Sequence, residues 1–239
     1  MKAEQGLVID ATFDTGRSAI ARLYATRTYA NAGNPDLLAR VRAEDRLVLD
    51  VGCGSGENAE LLVRRGACVH GVTASPEERD RAARVMARVA LADVETWECD
   101  YADGFFDAMI CSHVLEHLVD PSTTLRTLGR VVRTGGRVYI ALPNVAFWRQ
   151  RLRMLQGRFE YEDAGLMDRT HLRFFTFFTA RQLLAAAGLR EVEASVTGGA
   201  PIGRLRTVLP APGRALDAWC CARWPNVFGY QIILVGEKC

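Results

Sequence analysis

From residue 46 onward, short apolar runs rich in Val, Ile and Leu alternate with amphipathic stretches, and most changeovers carry a turn or cap signal. The pattern predicts strands near 46–51, 67–72, 94–98, 106–111, 136–142, 190–196 and 229–235. Between them, Ser75-Pro76-Glu77-Glu78 reads as a capped helix start with proline at the first helical position, and Thr179-Ala180-Arg181-Gln182 as a capping box on a helix closed by Gly188. Asp120-Pro121 opens a helix whose Leu125, Leu128, Val131 and Val132 form an apolar face ended by Gly135-Gly136; Asn34-Pro35 opens the helix before the first strand. Such alternation predicts an α/β sheet with mainly parallel strands. The chain, 1–239, reads as a single domain with an N-terminal helical cap over 1–45.

Two segments, 143–178 and 197–228, break the alternation. Each follows a strand end, and in an open α/β sheet the loops beyond the carboxyl ends of strands border the ligand crevice. Segment 143–178 is therefore expected to be a substrate lid, and 197–228 an insertion before the last strand. The first holds six arginines against four acids and the second four against one. That excess suits an anionic ligand beside the crevice, and equally a solvated basic rim.

At Leu47-Val48-Leu49-Asp50-Val51-Gly52-Cys53-Gly54-Ser55-Gly56 a buried-strand pattern breaks into a glycine turn that opens a helix. Glycines allow close backbone approach to a ligand, and helix N–H groups point at it. A dinucleotide fingerprint needs a third glycine at position 57, but Glu57 stands there and Glu60 follows in the next turn. A pyrophosphate would be repelled. S-adenosylmethionine, with a sulfonium and a zwitterionic amino acid in place of phosphate, is compatible with the acidic turn, and Asp50 is placed to sit near its ammonium.

Composition narrows the class. The chain is 49% hydrophobic and 24% charged with a net charge of +2, ordinary for a globular protein and no general case for nucleic acid. The N-terminus lacks a basic segment followed by an apolar core, and no apolar run reaches the roughly 18 residues needed to span a bilayer, so a cytoplasmic monomer or homodimer is expected. Seven cysteines, at 53, 68, 99, 111, 220, 221 and 239, include no C-x-x-C pair and read as reduced, core-filling thiols.

Four blocks in order, Val48–Gly56, Glu98-Cys99-Asp100, Phe106–His117 and Gly135–Asn144, resemble the class I S-adenosylmethionine-dependent methyltransferases, of type 11/23, from about residue 24 onward. The resemblance implies a Rossmann-like, seven-stranded sheet with lid insertions after strands 5 and 6. It implies that Asp50, Gly52, Gly54 and Gly56 line the methionine and ribose part of the cofactor. Asp100 would meet the adenine amino group with Tyr101 alongside, and Cys111, Ser112 and His113 would lie beneath the cofactor. Where this family usually places a ribose-binding acid, at the end of the second strand, the chain has Thr73, as in the cyclopropane-fatty-acid-synthase branch. Ribose binding would then be weaker or shared with Glu77. Within the lid, Pro143–Arg149 and Asp168–Thr176 resemble a subgroup that includes methionine-biosynthesis W-type proteins and methyltransferases of glycan and natural-product pathways.

Methyl transfer from a sulfonium mainly requires aligning a nucleophile and removing its proton. Of the four histidines, His70 falls within a strand. His117 and His171 are the candidate bases, the latter beside Asp168, which could hold its tautomer. His113-Val-Leu-Glu116-His117 also matches the H-x-x-E-H zinc spacing, but the same letters recur without metal in the resembled family, so no metal is expected. Arg149 and Arg173 are candidate anion clamps. Trp148, Tyr161, Phe174 and Trp219 could line an acceptor pocket or simply pack on one another. The leading expectation is methyl transfer to a hydroxyl oxygen of a small-molecule biosynthetic intermediate with an acidic or glycosyl part, in secondary metabolism. The alternatives are an N- or C-methyltransferase, or a non-catalytic cofactor-binding regulator of another enzyme.

Overall fold

The computed structural model describes residues 33–239. Most of the expected helical cap, residues 1–32, lies outside them. In chain order the elements are α1 (Pro35–Leu38), β1 (Leu47–Val51), α2 (Glu57–Val63), β2 (Cys68–Thr73), α3 (Pro76–Ala82), β3 (Arg88–Leu91), β4 (Phe106–Ser112), a 3-10 turn (Leu115–His117), α4 (Pro121–Gly129), β5 (Val132–Pro143), α5 (Trp148–Leu155), α6 (Phe177–Ala186), β6 (Leu189–Gly198), α7 (Gly203–Val208), α8 (Pro210–Arg223), α9 (Pro225–Phe228) and β7 (Gly229–Lys238). The seven strands form one sheet in the order β3-β2-β1-β4-β5-β7-β6. All pairings are parallel except those of β7, which runs antiparallel to both β5 and β6. The sheet is the expected Rossmann-like α/β architecture.

Period-two alternation decides which side chain faces which layer. Along β1, Val48 packs with Leu37, Leu62, Ile110 and Tyr139 on one face, and Leu49 and Val51 pack with Met109, Leu128 and Ile140 on the other. The helix starts follow their caps: the side chains of Asn34, Ser75 and Asp120 each accept a backbone N–H, and each precedes a proline.

Three expectations are corrected. The third strand is Arg88–Leu91, not 94–98, because α3 ends at Ala82 and leaves the short run Arg-Val-Ala-Leu to pair with β2. The pair Gly135-Gly136 does not end a helix. It lies inside β5, where a Cβ on Gly136 would come within 2.6 Å of the Asp107 carbonyl, so the close approach of β4 requires glycine. The capping box before Gly188 is formed by Thr176 with Thr179, three residues earlier than expected.

Among the described residues no helix is long and apolar enough to cross a membrane. All seven cysteines are free; Cys53, Cys99, Cys111, Cys220 and Cys221 are buried, whereas Cys68 and Cys239 are exposed, against the core-filling reading for those two.

One buried polar anchor ties α1 to the sheet. Tyr139 is fully buried and its hydroxyl donates to Asp45 Oδ2 at 2.6 Å, while Arg42 Nη2 pairs with Asp45 Oδ1 at 2.7 Å. Tyr139→Phe is expected to destabilise the protein by about 1.5–3 kcal/mol, the range for a hydrogen bond to a charged group, read as a lower urea midpoint with an unchanged slope.

Candidate functional site

The glycine turn is pinned from behind. The backbone N–H groups of Gly52 and Cys53 both donate to the Val72 carbonyl, at 2.9 and 3.0 Å, so the turn after β1 is stitched to the end of β2. Gly52, Gly54 and Gly56 all have positive φ, at 70°, 53° and 96°. Their surroundings differ. A Cβ on Gly52 would strike Val114 at 2.7 Å, and one on Gly56 would press on Ala82 Cα at 3.2 Å, so these two serve packing, with Gly56 set between α2 and α3. A Cβ on Gly54 would meet nothing nearer than Glu57 at 3.7 Å. Gly54 opens onto a cavity of about 640 Å³, a volume typical of sites for cofactor-sized ligands.

That cavity is lined by Gly52, Cys53, Gly54 and Glu57 from the turn and by Thr73, Ala74, Ser75 and Glu78 from the end of β2 and the start of α3. Asp93, Val94 and Glu95 come from the loop after β3, Ser112 to Leu118 (apart from Leu115) from the end of β4, and Ala164, Gly165, Leu166, Asp168 and His171 from segment 143–178. The carboxylates of Asp36, Glu57, Glu78, Asp93, Glu95, Glu116 and Asp168 belong to lining residues, and among the described residues no lining residue is Arg or Lys.

Behind the turn, Asp50 is fully buried and neither of its oxygens has a hydrogen-bond partner among the described residues. Burial, with a smaller contribution from the Glu57 charge, pushes its carboxyl up to about 7. Burial likewise raises Glu57.

Several predicted site residues are placed elsewhere. Asp100 is exposed and paired with Arg88 at 2.7 Å, and the Tyr101 hydroxyl meets His70 Nδ1 at 2.7 Å; both lie outside the cavity. The cause is the third strand. Because it ends at Leu91, Asp93 and Val94, not Asp100 and Tyr101, emerge at the carboxyl edge of the sheet. Gly56 and Asp50 do not line the cavity either. Glu77 is exposed and paired with Arg81, and it is Glu78, buried, whose Oε2 accepts from the Thr73 hydroxyl at 2.9 Å. The capping box already contained that residue, and its position one step further round the helix is what turns it inward.

At the end of β4, His113 adopts φ 55°, and both of its ring nitrogens face acceptor oxygens, Nδ1 that of Glu116 Oε1 at 3.2 Å and Nε2 that of Gln231 Oε1 at 2.6 Å. Burial works to lower its pKa, but the hydrogen bond and charge of Glu116 hold it above the ordinary value. Glu116 is fully buried; burial works to raise it, and the His113 bond with the nearby imidazoles of His117 and His171 holds it below the usual carboxylate range. His171 Nδ1 lies 3.1 Å from the Leu166 carbonyl and Nε2 lies 4.0 Å from Glu116 Oε1. Its orienting partner is therefore not Asp168, which instead accepts from the Thr170 amide and hydroxyl. Burial lowers His171 and favours its neutral form. His117 Nδ1 contacts the Thr170 carbonyl at 3.2 Å, and the two rings meet edge to face at 4.8 Å.

The predicted acceptor residues divide. Trp148 and Arg149 line a second cavity of about 710 Å³ with Phe147, Arg153 and Glu162, and this cavity shares Ala164, Gly165, Leu166 and Tyr230 with the first. Arg173 lies in neither, its guanidinium donating to the Val119 carbonyl at 2.5 and 3.1 Å. Tyr161 and Phe174 pack with Phe159, and Trp219 packs on Trp224, all outside both cavities.

A family model described as a methyltransferase domain matches residues 24–194. The chain belongs to that methyltransferase domain family. The ubiquinone biosynthesis O-methyltransferase of Alkalilimnicola ehrlichii is 37% identical over 106 residues, which cover 42% of this chain and 43% of that protein. The chain thus matches under half the length of this curated relative. Among solved structures, a SAM-dependent methyltransferase from Archaeoglobus fulgidus is similar with a TM-score of 0.62 at 19% identity, over 93% of this chain and 94% of that one. The [4+2]-cyclase SpnF is similar with a TM-score of 0.54 at 20% identity, over 92% and 80% of the two chains. At such identities the likeness shows the fold alone.

S-adenosylmethionine is the cofactor of the methyltransferase family, and the described residues fit it: an open glycine at the cavity wall, an unpartnered carboxylate behind it, and a lining whose formal charge is negative. Asp50 also sets a pH dependence. Its folded pKa of about 7 lies above the ordinary ~3.9 of an unfolded chain, so ligand-free stability should fall as pH rises between those values, by an amount on the order of 4 kcal/mol. Asp50→Asn removes the titration. In chemical denaturation of the ligand-free protein, its gain over wild type at pH 8 should be more than twice its gain at pH 5; equal gains would count against the assignment.

Proposed function

We propose that this methyltransferase domain transfers a methyl group from S-adenosylmethionine to a hydroxyl oxygen of a small biosynthetic intermediate. One observation carries the cofactor half of the reading. Among the described residues, the cavity beside the glycine turn is lined by seven carboxylate residues and by no Arg or Lys, which favours a sulfonium and an ammonium over any phosphate-bearing ligand. The oxygen acceptor is supported by the name of the relatives, ubiquinone biosynthesis O-methyltransferases.

When bound, S-adenosylmethionine supplies an electrophilic methyl group with a neutral thioether as leaving group. The chain's own groups do the rest. Gly54 lets the ligand lie against the backbone, Glu78 with Thr73 receives the ribose hydroxyls at the end of β2, and Asp93 with Val94 borders the adenine. Ser112 and His113 form the floor, with the His113 ring fixed by Glu116 and Gln231. His117 and His171 stand where segment 143–178 closes the cavity, and the acceptor's proton leaves at this cluster. The acceptor's bulk extends past Ala164–Leu166 and Tyr230 into the second cavity, where Arg149 stacks on Trp148 and suits an anionic or aromatic part.

Calorimetry should show S-adenosylhomocysteine binding and no NAD binding. Release of S-adenosylhomocysteine with a panel of hydroxyl acceptors then tests the transfer; methylation confined to nitrogen or carbon would overturn the oxygen assignment, and binding without any turnover would favour a regulatory partner. His171→Ala is expected to lower kcat by about 10²–10⁴, the range for a lost acid–base group, while S-adenosylhomocysteine affinity changes no more than a few-fold.

A further inference from the structure

We infer that the second cavity is a carboxylate-binding site, built by the first turn of α5 with Arg149 and Gln150, which holds the acceptor by a negatively charged end remote from its reacting hydroxyl. This rests on the methyl-transfer reading above and adds to it the charge of the group by which the acceptor is recognised.

Gln150 is the deciding residue. It is 3% exposed and lines the cavity, yet its side-chain amide makes no hydrogen bond among the described residues. The fully buried polar atoms that lack a partner do not include its Oε1 or Nε2, so what little of Gln150 is exposed is its polar end, and the space it faces is this cavity. An amide withdrawn from bulk water with no protein partner costs free energy unless a ligand supplies one.

The backbone beside it is in the same condition. α5 begins without a side-chain cap, and the N–H groups of Trp148, Arg149 and Gln150 donate to nothing among the described residues; the first bond of the helix runs from the Arg151 amide to the Phe147 carbonyl. The nearest polar side chain that could cap it is turned elsewhere: Asn144 Oδ1 accepts from the Ala146 amide, and its Nδ2 donates to the Gly229 carbonyl at 2.7 Å. Residues 147–150 all line the cavity, so the positive end of the helix opens onto it.

Arg149 supplies a full charge. Its guanidinium lies over the Trp148 ring, 5.3 Å from the centroid, and has no ion pair or hydrogen bond among the described residues. The indole beneath is itself fixed, Nε1 donating to the Gly199 carbonyl at 3.1 Å. A guanidinium stacked in this way keeps its edge donors for an anion. Arg153, the other arginine of the lining, is paired with Glu162 and adds no net charge. One unneutralised cation, one amide and three backbone donors match a single negative charge, whereas a phosphate dianion brings a second charge that nothing in the lining answers.

The two cavities therefore differ in sign and share Ala164, Gly165, Leu166 and Tyr230. An acceptor with a carboxylate at one end and a hydroxyl at the other is oriented by charge: the carboxylate is repelled by the acidic lining of the first cavity and held in the second, which leaves the hydroxyl on the cofactor side.

Calorimetry on the full chain loaded with S-adenosylhomocysteine uses phenylacetate as probe, with phenylacetamide and inorganic phosphate beside it. One equivalent of phenylacetate is expected to bind, and the uncharged amide about 10-fold or more weaker. Arg149→Gln and Gln150→Leu should each weaken phenylacetate by about 10-fold while S-adenosylhomocysteine still binds, which shows that they fold. Arg158→Gln, at an exposed arginine outside both cavities, should change nothing. Phenylacetate that does not bind, that binds no better than its amide or more weakly than phosphate, or that binds both variants as well as wild type would overturn the site. Its use is read from pairs of hydroxyl acceptors that differ only in carboxylate against carboxamide: the acid should have the lower KM, and Arg149→Gln should remove that advantage with kcat little changed. Methyl transfer at equal KM to both members of each pair would overturn the site's role and leave the methyltransferase reading standing. Phenylacetate held at these residues with no transfer to any acceptor would do the reverse.

Discussion

One backbone carbonyl carries much of the architecture of the site. Val72 accepts from both Gly52 and Cys53, and this double bond between adjacent parallel strands sets where the glycine turn stands. With the turn fixed, Gly54 faces the cavity while Gly52 and Gly56 are consumed by contacts with Val114 and Ala82. Because the acceptor lies one residue before Thr73, the same bonds bring the end of β2, and Glu78 behind it, to the cavity wall. A displaced β2 would therefore disturb the wall made by the glycine turn and the wall made by the end of β2 together.

The second organising fact is electrostatic. Carboxylates around the cavity are held by amides, hydroxyls and imidazoles: Glu95 by the amides of Val119 and Asp120, Asp168 by Thr170, Glu116 by His113. Holding Glu95 and Asp168 with neutral donors fixes their positions without cancelling their charge, so that part of the lining stays negative. The field reaches the thiols nearby. Burial, reinforced by the Asp50 charge, raises both Cys53 and Cys111, which keeps them protonated and unreactive although Cys53 borders the cavity.

Much of this was legible in the chain. The glycine turn, the β4 block and the helix starts at Asn34, Ser75 and Asp120 carry their own local physics, and each was found where the pattern placed it, whereas the last capping box begins at Thr176 and not at Thr179. The third strand was not, since Val94-Glu95-Thr96-Trp97-Glu98 alternates as a half-buried strand should, while Arg88-Val89-Ala90-Leu91 is too short to stand out. That slip goes with the finding that Asp93 and Val94, and not Asp100 and Tyr101, line the cavity beyond the third strand. The partners of His171 were illegible for a different reason. Asp168 is near in sequence but turns back onto Thr170, and Glu116, 55 residues away in the chain, reaches the ring through the pairing of two loops. Sequence spacing carries no record of such encounters.

The place of β7 has a further consequence. Every other strand precedes it in the chain, yet it lies between β5 and β6 and hydrogen-bonds to both. Until residues 229–238 arrive, β6 has no neighbour in the sheet and the edge of β5 stays open. Gln231, which holds the His113 ring and meets Asn34, belongs to the same strand. β1 to β5 can therefore pair before residues 229–238 are in place, but the Gln231 contact that fixes the His113 ring comes only with β7.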